Sequence, residues 1–276
     1  MTFRLALAQM LVVGGDADQN LARAEAMIAE AADHGADIVL LPEAMDLGWT
    51  HPSARARAEG IPAGRPCTRL RAAALRHQVY VCAGLTERDG DAVYNAAVLV
   101  DRDGMLCALH RKINELEIAH ASYDRGDRLG VVRTEFGVLG IMICADALAE
   151  KEAISRSLCA MGAELILSPC SWAVPPSHDP IQTPYGDLWR RAYGPVASQY
   201  SVWIAGVSNV GVIAGGPWDG HHCIGSSLLV GGDGREVLNG PCGASAEALL
   251  YADVELRGRQ TRAIGGRPHA DNGAGR

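Results

Sequence analysis

Lysine is nearly missing from this chain of 276 residues: 23 of its 25 basic residues are Arg, and only Lys112 and Lys151 are Lys. Where almost every cation is Arg, a retained Lys points to a need for a compact, titratable ammonium. No C-x-x-C pair occurs among the eight Cys, which argues against zinc ribbons and thioredoxin-like motifs. Positive charge is in deficit, with a net charge of −7, so no basic footprint points to nucleic acid or an anionic membrane. The 27 residues Ala192–Trp218 carry no charge, but their five Gly, two Pro and Asn209 are foreign to a lipid-spanning helix. Leu5–Val13 is apolar, yet Gln9 interrupts it and no cleavage site follows, so it reads as a first strand rather than a signal peptide. The tandem His221-His222 has no partner set at metal-ligand spacing, and no metal or other cofactor is expected. Cys residues inside apolar runs fit a reduced, cytoplasmic protein.

What is present is a repeat. Gly35–Glu43 (GADIVLLPE) matches Gly162–Cys170 (GAELILSPC) at an offset of 127. Gln78–Gly84 matches Tyr200–Gly206 at 122, and Tyr94–Gly104 matches Ile224–Gly234 at 130. Three blocks in one order at nearly one offset indicate duplication. Each half reads as a strand (Arg4–Met10; Val138–Cys144), a helix (Asp18–His34; Ala147–Met161) and a short buried strand (Ile38–Leu41; Leu165–Leu167). A second helix (Thr68–Arg76; Gly186–Ser198), another strand (Val79–Ala83; Val202–Val207) and a hairpin follow. Asp103-Gly104 and Asp233-Gly234 mark the hairpin turns. A sheet with helices on one face leaves its other face bare. Two such halves packed sheet to sheet give an α+β fold, a four-layer αββα sandwich in one domain spanning residues 1–256. Residues 257–276, rich in Gly and Arg, read as a flexible tail.

Three stretches carry candidate chemistry. Leu40-Leu41-Pro42-Glu43 delivers a carboxylate at a strand tip, either as a site group or as a cap or solvated charge. His110-Arg111-Lys112-Ile113-Asn114 follows a hairpin strand and holds one of the two lysines; Lys151, in Glu150-Lys151-Glu152, reads as a surface residue. In Gly137–Asp146 a buried strand ends at Cys144, just before a helix start. Free backbone N–H groups there would lower a thiol's pKa and could hold an oxyanion. Cys170, at the matching tip, is the rival nucleophile.

The ordered set L-P-E, R-K-I-N and I-M-I-C-A-D resembles the nitrilase superfamily of carbon–nitrogen hydrolases, from Phe3 to about Val254. The resemblance implies Glu43 as general base, Lys112 as cationic stabiliser, Cys144 as nucleophile and a structural role for Asp146. It also implies the duplicated αββα sandwich and a homodimer or larger assembly. Many members carry a second Glu some eight residues after the Lys, where this chain has His120. Glu115 and Glu117 come earlier and Asp124 later; Glu117 is the expected substitute if the loop is shortened.

The expected reaction follows. Cys144 attacks an amide or nitrile carbon as Glu43 takes its proton, Lys112 and the Ala145 N–H stabilise the charge, and water then cleaves the thioester. Nitrile-cleaving members commonly carry Trp-Glu after the nucleophile, and this chain has Ala145-Asp146. The expected substrate is therefore a small amide or N-carbamoyl compound. Trp172 and Trp218 line the pocket or a subunit interface, and Arg190 and Arg191 either grip an acidic substrate or sit on a helix surface. The competing classes are nitrile hydrolysis, acyl transfer, a silent relative that binds a small molecule or a partner, and a Cys–His hydrolase using His110 or His120.

Overall fold

The computed structural model describes residues 2–179 and 181–256. The first half runs β1 (Thr2–Gln9), α1 (Ala17–Asp33), β2 (Ile38–Leu40), a single turn α2 (Ala54–Arg57), α3 (Arg65–His77), β3 (Tyr80–Asp89), β4 (Ala92–Val100) and β5 (Leu106–Arg111). The second runs β6 (Val131–Thr134), β7 (Gly137–Ile141), α4 (Ala153–Ala160), β8 (Leu165–Cys170), β9 (Ala173–Val174) and α5 (Asp187–Tyr200). It closes with β10 (Trp203–Ser208), β11 (Val210–Val212), β12 (His222–Ile224), β13 (Leu228–Val230), β14 (Glu236–Asn239) and β15 (Ala248–Glu255).

Two six-stranded sheets result, ordered β15-β1-β2-β3-β4-β5 and β14-β13-β10-β8-β7-β6. The central strands pair in parallel: β1 with β2 and β2 with β3, then β7 with β8 and β8 with β10. Side-chain alternation assigns each face of the first sheet. Phe3, Leu5 and Leu7 of β1, with Ile38, Leu40, Cys82 and Leu99, join the core shared with the second sheet. Ala6, Ala8, Val39, Val81 and Val98 point the other way, onto α1 and α3. On the second sheet, α4 and α5 supply Leu158, Trp189, Tyr193 and Val196 to the outer layer. The result is the expected αββα sandwich.

The helix boundaries have local causes. Asp16 caps α1 by accepting from the Gln19 N–H, and α3 opens with Pro in its first turn. The strand expected over Val138–Cys144 stops at Ile141, and the helix expected over Ala147–Met161 begins only at Ala153. Two 3-10 turns, Cys144–Leu148 and Glu150–Glu152, fill the gap. The reason is Asp146, whose carboxylate reaches back to the Ile143 N–H and curls the chain out of the ladder. The three-stranded sheet β11-β12-β9 was not legible, because strands of two or three residues carry no period. The tail expected from Arg257 lies outside the described residues.

Candidate active site

Glu43, Lys112 and Cys144 arrive from three segments at one end of the sandwich. Glu43 follows Pro42 just beyond β2 and is 1% exposed. Its Oε1 accepts from Lys112 Nζ at 2.6 Å and from Asn95 Nδ2 at 2.7 Å, while its Oε2 is buried with no hydrogen-bond partner. An unpaired buried carboxylate oxygen is costly unless something else uses it. Gly84 of β3 makes this placement possible: a Cβ there would lie 2.5 Å from Glu43 Cα and 2.7 Å from the Pro42 carbonyl oxygen.

Lys112 extends the line of β5, its N–H donating to the Asn95 carbonyl at 2.8 Å. The two lysines separate as expected: the Lys112 side chain is 1% exposed, whereas that of Lys151 is 88% exposed. Burial works against the Lys112 charge, but the Glu43 and Glu115 carboxylates outweigh it and hold the ammonium well above its ordinary pKa. Glu115 Oε2 lies 3.3 Å from Nζ as a charge pair, and its Oε1 accepts from Asn95 Nδ2 at 2.9 Å. Burial raises the Glu115 pKa, opposed by Lys112. Trp49 places its ring 5.8 Å from Nζ.

This corrects the assignment of the second Glu. Glu117 is exposed in a 3-10 turn, Glu117–Ala119, and Glu115 stands beside Lys112 instead. The chain turns so sharply after Asn114 that the loop reaches the site three residues after Lys112 rather than eight.

Cys144 begins the 3-10 turn after β7 with φ +44°, a left-handed conformation unusual for a residue with a side chain. Its thiol is within electrostatic reach of Glu43 and Lys112. The expected lowering of its pKa does not occur: burial, the neighbouring Cys170 thiol and the Glu43 charge push it well above the ordinary thiol value, against Lys112. A single 3-10 turn is too short to offset full desolvation. The resting group is a thiol that needs a base.

Asp146 clasps the site from behind. It accepts from the N–H groups of Ile113 (3.1 Å), Asn114 (2.8 Å) and Ile143 (2.9 Å), and from His110 Nε2 at 2.7 Å. Burial opposes its charge, but these bonds win and lower its pKa. Asn114 Nδ2 adds a 2.6 Å bond to the Ala145 carbonyl. The Lys112 loop and the Cys144 turn are thereby locked together. His110 is thus engaged behind the Cys144 turn, and His120 is exposed, which leaves the Cys–His alternative without geometry.

Trp172 is 1% exposed and stacks on Trp189 at 4.7 Å, inside the core cluster that also holds Cys144 and Cys170. Trp218 stacks on His221 and meets Trp49 edge-on at 5.2 Å. Arg190 is engaged by Glu236 at 2.7 Å, and Arg191 is exposed. Among the described residues, no group of three or more His, Cys, Asp or Glu side chains is arranged to hold a metal ion. Sequence reasoning missed Asn95 and Trp49. Asn95 left a signal, a β-disfavoured residue inside an apolar strand; Trp49 left none.

A model of the carbon–nitrogen hydrolase family matches residues 4–263. This chain belongs to that family. A nitrilase of Pyrococcus abyssi is 34% identical over 181 residues, covering 64% of this chain and 67% of that one. The chloroplastic omega-amidase of Arabidopsis thaliana is 33% identical over 181 residues, 60% of this chain and 48% of the plant protein. A mutant of the Nesterenkonia AN1 amidase, from the nitrilase superfamily, superposes with a TM-score of 0.77 at 23% identity, over 91% of this chain and 90% of that chain. The last likeness shows the shared fold, and the family makes this chain a carbon–nitrogen hydrolase with amidase and nitrilase relatives. No helix among the described residues is long and apolar enough to cross a membrane.

Proposed function

We propose that this hydrolase cleaves a small amide or N-carbamoyl compound through a thioester on Cys144. The observation that carries the reading is Glu43 Oε2, a buried carboxylate oxygen without a partner beside a buried ammonium. Glu43 takes the Cys144 proton as the sulfur attacks the carbonyl carbon. The Lys112 ammonium and the Ala145 N–H stabilise the tetrahedral oxyanion. Glu43 then protonates the departing ammonia or amine, and next deprotonates the water that releases the acid. Glu115 and Asn95 keep Lys112 and Glu43 in register, and Trp172 belongs to the aromatic wall behind the thiol. Cytoplasmic placement and a homodimer or larger assembly are parts of the same proposal.

Nitrile cleavage is the second reading, favoured by the nitrilase among the relatives. Ammonia release from a panel of amides, N-carbamoyl compounds and nitriles, run beside Cys144→Ala, tests both. Release from amides that vanishes in the variant supports the first; release from nitriles alone replaces it with the second. Release that survives the variant removes Cys144 from the chemistry.

A further inference from the structure

Cys170 has no task in hydrolysis, yet it shares the buried cluster of Cys144. The parallel pairing of β7 with β8 sets Leu139 opposite Leu165 and Ile141 opposite Leu167, an offset of 26. The Met142 N–H continues that ladder to the Leu167 carbonyl at 3.1 Å. Ile143 keeps an extended backbone (φ −122°, ψ 114°), so the same offset points the Cys144 Cα toward Cys170 before the chain turns away. Neighbouring strands lie about 4.8 Å apart, within the roughly 4.4–6.8 Å between Cα atoms that a disulfide spans. Both side chains pack in the same buried cluster. Cys170 donates to the Ser168 carbonyl at 3.2 Å and lies 3.8 Å from the Tyr193 hydroxyl, which orients its sulfur. Both cysteines are buried and free, at 8% and 0% exposure.

We propose that Cys144 and Cys170 are a redox-modifiable pair, which a peroxide closes into a disulfide that reversibly blocks the site. In the first step the Cys144 sulfur attacks one peroxide oxygen. An S–O bond forms, the O–O bond breaks, and the leaving hydroxide departs as water with the thiol's proton. In the second step the Cys170 sulfur attacks the Cys144 sulfur. An S–S bond forms, the S–O bond breaks, and the hydroxide leaves as a second water with the Cys170 proton. Two thiols give up two electrons, and one hydrogen peroxide becomes two waters. Cys170 thereby captures the sulfenic acid before a second oxidation makes it irreversible.

The test needs no knowledge of the substrate, so its failure is distinct from failure of the hydrolase reading. The full-length protein is treated with hydrogen peroxide, its remaining thiols are alkylated, and peptides are mapped by mass without reduction. The expected product is a Cys144–Cys170 linked pair of peptides, two hydrogens lighter, that dithiothreitol separates. Exposed Cys242 is the internal dose marker. Cys144 unmodified at a dose that oxidises Cys242, oxidised without the link, or joined to another cysteine overturns the proposal. In Cys170→Ser, Cys144 is expected to gain two or three oxygens, and dithiothreitol then recovers at least about tenfold less of the lost thiol than in the unaltered chain. Equal recovery overturns it.

Discussion

Glu43 and Cys170 hold equivalent positions in the two halves, each directly after the Pro at the tip of a central strand. The halves meet there, with the Glu43 N–H donating to the Cys170 carbonyl at 3.2 Å. One tip presents a carboxylate to the site and the other a thiol whose backbone supports that carboxylate. Gly84 and Gly206 are a second matched pair. A Cβ at Gly84 would strike Glu43 Cα at 2.5 Å, whereas one at Gly206 would strike the Tyr193 hydroxyl at 2.7 Å and the Trp172 ring at 3.0 Å. The same glycine admits the Glu43 loop in one half and an aromatic wall in the other. Duplication supplied two similar scaffolds, and the proposed chemistry is divided unequally between them, with Glu43 and Lys112 from the first and Cys144 from the second.

The sharpest way to break the comparison is to exchange the roles of the two thiols. Cys144→Ala is expected to lower the rate of ammonia release by ~10³-fold or more, as loss of a nucleophile does. Cys170→Ala is expected to lose less than about tenfold, because it removes only a neighbour that raises the Cys144 pKa. Equal losses in the two variants would make Cys170 a partner in hydrolysis. The glycines come next. Gly84→Ala and Gly206→Ala each overpack and are expected to destabilise by about 1–3 kcal/mol in urea melts. At matched stability, Gly84→Ala is expected to lose at least about tenfold more activity, since a displacement near 1 Å in the catalytic group is enough for that.

The second glutamate sharpens the picture further and shows where sequence reading runs out. Glu115→Gln is expected to lower kcat about 10–100-fold by weakening the hold on Lys112, while Glu117→Gln, at the exposed turn, leaves it within about twofold. The reverse order would return the role to Glu117. The layers were legible because three blocks, the G-A-[DE] block among them, recur in one order at nearly one offset, and a sheet with helices on one face needs a second sheet on the other. The burial of Lys112 was legible from the contrast with Lys151. Loop geometry was not. The left-handed Cys144 and the reach of Glu115 depend on carboxylate Asp146 gathering three N–H groups, a tertiary arrangement with no local period. Spacing inferred from resemblance therefore fell on His120, with Glu117 as the substitute on a shortened loop.

A smaller effect comes from Asp46, which the duplication matches with Ala173. Asp46 is 1% exposed and takes the Thr86 N–H at 3.0 Å and the Thr86 hydroxyl at 3.2 Å. Burial pushes its pKa from 3.8 up to about 6, with the Thr86 and Leu47 N–H groups pulling back. Well below pH 3.8 the group is protonated in both folded and unfolded chains. As pH rises, the unfolded chain ionises first and the folded one keeps its proton until about pH 6, so stability is lost across that window. The shift of about two units corresponds to about 3 kcal/mol. Asp46→Asn cannot titrate. The stability of the variant minus that of the unaltered chain, from urea melts, is therefore expected to rise by about 2 kcal/mol between pH 4 and pH 6.5. A difference that stays flat would mean that Asp46 is already charged at pH 4. Hydrogen exchange at the Thr86 amide localises the effect: it should quicken with pH beyond the intrinsic rate in the unaltered chain and not in the variant, because this carboxylate stands three residues from Glu43 and its counterpart in the other half has nothing to ionise.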